Sequence, residues 1–118
     1  MARLKTEPPK QKAISNRELL LTQAISIVTQ DRNSSYGNPE DNFRDIADFW
    51  NSYLTQRTKR RIMLNPQDVA HMMILMKVGR LTHNPSHADS LLDIAGYAAC
   101  GYDCQQAAEV GQAADSPN

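Results

Sequence analysis

Asn-Pro steps divide this chain into helices before any other pattern is considered. Asn38-Pro39-Glu40-Asp41 and Asn65-Pro66-Gln67-Asp68 carry the same helix-start signal. Asn can cap, and Pro is tolerated in the first turn because its missing N–H had no partner there; an acid close behind meets the positive end of the helix dipole. A third step, Asn84-Pro85-Ser86, ends one helix and is expected to cap another through Ser86. Ser15-Asn16-Arg17-Glu18 adds a capping-box pattern upstream. Four starts in so short a chain leave room for helices and short loops. No alternating strand pattern competes, and no long repeat is visible.

The apolar spacing fills in the helices. Leu20, Leu21, Ala24, Ile25 and Val28 recur at three and four, which predicts a first helix over about 16–31. Asn33 to Gly37 breaks it. Phe43, Ile46, Ala47, Trp50, Tyr53 and Leu54 form one stripe on the second helix, and Arg57-Thr58-Lys59-Arg60-Arg61 follows as a basic linker. The third helix, to about Thr82, is apolar on nearly every side from Val69 to Val78 except at His71 and Lys77, and is therefore expected to be the central, most buried element. The fourth runs from about His87 to Gln106, where Gly96 and Gly101 allow close backbone approach. The expected fold is all-α, a four-helix antiparallel bundle over residues 15–106. Residues 1–14 and 107–118 have little to bury and are expected to be disordered tails.

Composition limits the function. Thirteen Lys+Arg balance thirteen Asp+Glu, which disfavours a non-specific grip on nucleic acid or an anionic membrane surface. No run is long and apolar enough to span a bilayer and no secretory signal opens the chain, so a cytoplasmic protein is expected. Two cysteines, Cys100 and Cys104, fall on consecutive turns of one helix, a poor disulfide geometry. A folded body of this size often borrows core from a second copy, so a homodimer or higher oligomer is expected.

A few polar positions carry the possible chemistry. Asp89 and Asp93 share a helix face, with Tyr97 a turn further on. Asp68 and Asp89 both have a structural explanation as first-turn acids. Asp93 lies among Leu92, Ile94 and Ala95, where a carboxylate needs a partner or a metal. Lys77 and Arg80 either snorkel from an apolar helix or contact phosphate. Tyr36, before Gly37-Asn38-Pro39, is either turn chemistry or an aromatic beside a helix N-terminus able to hold a base. The histidines lack zinc-site spacing, and no phosphate-binding glycine loop or nucleophile elbow is present.

These residues resemble a family of small phage and prophage proteins of unknown function. The resemblance rests on Tyr36 through Phe43, Trp50, Asp68-Val69-Ala70, Lys77, Arg80 and Asp89 through Tyr97, and spans about residues 30–100. More distantly, a third helix followed by one carrying Asp93-Ile94-Ala95-Gly96-Tyr97 resembles the all-α nucleoside triphosphate pyrophosphohydrolases of the MazG and phosphoribosyl-ATP type. That resemblance implies Mg²⁺ (or Mn²⁺) held by Asp68, Asp89 and Asp93, with Asp68, Asp93 and Lys77 catalytic. It also implies Arg80, Tyr36 and Tyr97 on a nucleotide substrate. Asp89 stands one residue from the family's Glu position, and His71 replaces another Glu. The alternative expectation is a non-catalytic helical phage protein that binds a host protein in the host cytoplasm.

Overall fold

The computed structural model describes residues 13–30 and 37–115, with backbone only for 112–115. Its described residues form four helices and no strands: α1 (Asn16–Thr29), α2 (Pro39–Thr58), α3 (Pro66–His83) and α4 (Ala88–Asp115). The all-α, four-helix expectation is what the chain adopts. Residues 1–12 and 116–118 of the expected tails, and Tyr36, lie outside the described residues.

The expected residue caps the helix at three of the four starts, although at α1 only the Ser15 half of the expected capping box forms. Ser15 Oγ accepts from the Glu18 amide at 3.1 Å and Asn38 Oδ1 from the Asp41 amide at 3.0 Å. At α3 the capping box is complete: Asn65 Oδ1 accepts from the Asp68 amide and Asp68 Oδ2 from the Asn65 amide, both at 2.9 Å. The fourth start differs. Ser86 does not cap α4; its amide instead donates to Asn84 Oδ1. His87 takes the cap position, and its Nδ1 accepts from the Ser90 amide at 3.2 Å and meets the fully buried Ser90 Oγ at 2.7 Å. An imidazole nitrogen is an adequate acceptor for an orphan helix amide, and here it also satisfies a buried hydroxyl.

α4 is the hub, packing against α3 most extensively and against α1 and α2 as well. Phe43 and Ala47 of α2, Val69 and Ala70 of α3 and Cys104 of α4 form the buried cluster, and Trp50, Ile46, Met73 and Tyr97 pack on it half-buried. The small residues of α4 serve this packing. A Cβ built on Gly101 would sit 2.9 Å from the Ala70 Cβ, so the α3–α4 crossing is close because position 101 has no side chain. The same helix runs on to Asp115, through residues expected to be a tail; Gln105 through Glu109 are good helix formers that extend it without burial.

The expectation for α3 needs correction. It buries Val69, Ala70 and Lys77, whereas Met72, Leu75, Met76 and Val78 are exposed. Only one side of this apolar helix faces the rest of the chain. Between α2 and α3, Asn51 holds the connection in place: its Nδ2 donates to the Leu64 carbonyl at 2.9 Å and its Oδ1 accepts from the Leu64 amide at 2.6 Å. Thr55 Oγ1 accepts from the Ile62 amide at 3.0 Å. The side chains of Arg57 to Arg61 stay exposed, with Lys59 left-handed (φ 58°) where α2 ends.

Candidate functional site

One ion pair joins α3 to α4, and its acid lines a cavity. Lys77 springs from the inward face of α3, and its Nζ lies 2.8 Å from Asp93 Oδ2 on α4. The lysine side chain is 11% exposed and the aspartate 38%, so the ammonium is nearly dry while the carboxylate still reaches solvent. That answers the sequence-level question about Asp93: its partner is Lys77. It also shows that Lys77 points inward, not along a snorkelling path.

Beyond the pair, Asp93 opens onto a cavity of about 130 Å³ between α1, the start of α2 and α4. Val28, Asn42, Phe43, Gly96 and Tyr97 share its lining with Asp93. The Phe43 and Tyr97 rings are tilted by 40° with centroids 6.4 Å apart, giving one wall an aromatic surface. Gly96 leaves space next to Val28, whose Cγ1 would be 3.7 Å from an added Cβ. An apolar, partly aromatic body with an amide and a carboxylate converging on it is the usual make-up of a small-molecule site.

The remaining expected site residues are not gathered here. Arg80, one turn beyond Lys77 on α3, is exposed, and the ion pair with Asp93 is made by Lys77. Asp89 is exposed in the first turn of α4, and Asp68 is engaged by the Asn65 cap at the start of α3. Asp68 and Asp89 begin successive helices, while Asp93 is committed to Lys77. Among the described residues no group of three or more His, Cys, Asp or Glu is placed to hold a metal ion. The carboxylates of one chain therefore do not fit the magnesium set implied by the resemblance. Mg²⁺ demands near-octahedral oxygen ligands and tolerates little distortion, which scattered acids cannot supply.

Sequence reasoning did not single out Asn42 or Gly96 as lining residues. Neither carries a signal by itself; both become visible only when α2 and α4 are brought together. Cys104, in the buried cluster on α4, is 3% exposed, and burial, followed by the nearby Glu40 carboxylate, pushes its thiol up to about 11. A thiol so protonated is packing, not a nucleophile.

Fold and site together define a small all-α bundle with a cavity of about 130 Å³, lined by the Asp93 carboxylate of an ion pair with Lys77. The chain belongs to the family described as "Domain of unknown function (DUF6378)", which it matches over residues 19–105. It is 40% identical over 83 residues to the Gene 55 protein of Mycobacterium phage D29, covering 70% of this chain and 51% of that protein. To the Gene 55 protein of Mycobacterium phage L5 it is 42% identical over 79 residues, covering 67% of this chain and 47% of that one. The chain thus spans about half the length of these phage relatives. No solved structure matches. Among the described residues no helix is long and apolar enough to cross a membrane.

Proposed function

We propose that this phage-type protein binds a nucleotide, with the nucleoside portion seated in the cavity between α1, α2 and α4. The observation that carries the reading is the Asp93 carboxylate, oriented by Lys77 and exposed to a cavity walled by Phe43 and Tyr97. A ring lying against the aromatic wall would gain contact area, and Asp93 and Asn42 would accept from or donate to its polar edge. An ionised carboxylate fixed in position selects ligands that offer N–H or O–H groups, as bases and sugars do.

Hydrolysis between the α- and β-phosphates, with Mg²⁺, is the finer form of this reading. It needs carboxylates that the described residues of one chain do not bring together, so binding is the activity proposed for the cavity itself. The competing reading, a non-catalytic protein that engages a host protein, draws on Phe49 and Tyr53, 74% and 66% exposed and one turn apart on α2.

The test is a panel of nucleosides and nucleotides, with and without Mg²⁺ or Mn²⁺, followed by calorimetry and by pyrophosphate release. Binding in the native chain, weakened at least tenfold by Asn42→Ala and by the double variant Lys77→Met/Asp93→Leu, is expected. The double variant keeps the cavity wall packed, so its melting temperature distinguishes a lost ligand contact from a lost fold. A panel without a binder, or binding untouched in both variants, rejects the cavity as a nucleoside site. Pyrophosphate release that depends on Asp93 would establish the hydrolytic form.

A further inference from the structure

The outward face of α3 is more apolar than a solvent face should be, and its pattern is self-complementary. Met72, Leu75 and Met76 recur at three and four along this face, 38%, 66% and 44% exposed, and Gly79 continues the same stripe. Among the described residues, no atom outside its own stretch of helix lies within 4 Å of where a Gly79 Cβ would be, so their packing does not require a glycine there. A glycine inside a helix still costs roughly 1 kcal/mol relative to alanine. Close approach by another helix would account for it.

We propose that α3 is the self-association face of this protein, pairing antiparallel with α3 of a second copy about a two-fold axis between Leu75 and Met76. In that register Met72 lies over Gly79 of the second copy, and Gly79 receives Met72 in return. Leu75 meets Met76 of the second copy in the same reciprocal way. The arrangement is isologous, as a two-fold interface must be. Charge follows the same symmetry: α3 carries Asp68 in its first turn and Arg80 and His83 in its last. Antiparallel pairing brings each acidic end against a basic end and also opposes the helix dipoles.

The occupant is this chain itself because the need is constitutive. The buried cluster of one chain is built from Phe43, Ala47, Val69, Ala70 and Cys104, mostly small side chains. The exposed face of α3 offers larger ones. A domain with so slight a core gains most from a partner present at the same concentration from synthesis onward. The inference is independent of the nucleotide reading, since none of the residues that line the cavity belongs to α3.

Light scattering on the full chain at micromolar concentration is expected to give a dimer, with an unfolding midpoint in urea that rises with protein concentration. Leu75→Cys is expected to crosslink to itself with a short bis-maleimide, while Leu19→Cys, exposed on α1, and the native chain do not. Gly79→Met should give a monomer, or a chain that unfolds at lower urea. Should Gly79→Met prevent folding, the crosslink and the concentration dependence still decide. A folded monomer with a concentration-independent midpoint overturns the proposal. So does a dimer whose Leu75→Cys variant does not crosslink.

Discussion

Lys77 and Asp93 form an unequal pair, and the inequality sets what each substitution costs. Removing the acid strands an ammonium that is nearly dry, whereas removing the lysine leaves a carboxylate that water can reach. Asp93→Asn is therefore expected to lose about 3 kcal/mol, Lys77→Met about 1 kcal/mol, and the apolar double variant less than Asp93→Asn alone. Urea denaturation of the three checks this, and equal single-variant losses would contradict the assignment of burial. Cys104 gives a second residue-scale expectation. Its thiol titrates near 11 in the fold against a reference of 9.0. Stability is complete below pH 9, because both states keep the proton. Above it the unfolded chain ionises first, so stability falls as pH rises towards 11, by about 2–3 kcal/mol from this group. Comparing urea midpoints at pH 8 and 10.5 isolates the effect, since Cys104→Ala should show a shallower decline than the native chain.

At the scale of the helix, sequence was legible wherever the signal was local. Asn38 and Asn65 cap α2 and α3 as their Asn-Pro steps require, because a cap needs only its own next turn. The α4 start was misread at Ser86 for an equally local reason: serine is the commoner cap, yet His87 is the residue whose ring meets Ser90. Gly96 and Gly101 both look like sites of close approach, but only the partner helix distinguishes them. Gly101→Ala must displace Ala70 and is expected to cost about 1–3 kcal/mol. Gly96→Ala meets Val28 at ordinary contact distance and should be neutral or stabilising by up to about 1 kcal/mol through helix propensity. In thermal melts Gly101→Ala should fall below the native chain and Gly96→Ala should not, if the α3–α4 crossing is as close as described.

For the molecule as a whole, hydrophobic pattern indicated how much surface needs cover but not what covers it. That is why α3 reads as a buried centre while α4 makes the contacts to every other helix. The acids show the same limit. The resemblance grouped Asp68, Asp89 and Asp93 as one cation set, but a helix start is a fixed place in space, and Asp68 and Asp89 occupy the starts of two different helices. Lys77 could be named from sequence, though the direction of its side chain depended on where Asp93 came to rest. The Asn51 carboxamide does for Leu64 what a neighbouring β-strand would do, engaging both its amide and its carbonyl. In deuterium oxide the Leu64 amide should consequently exchange as slowly as helical amides of α2, although it belongs to no helix. Asn51→Ala should release it to the solvent timescale, making one loop proton a reporter of whether the two helices on either side remain in register.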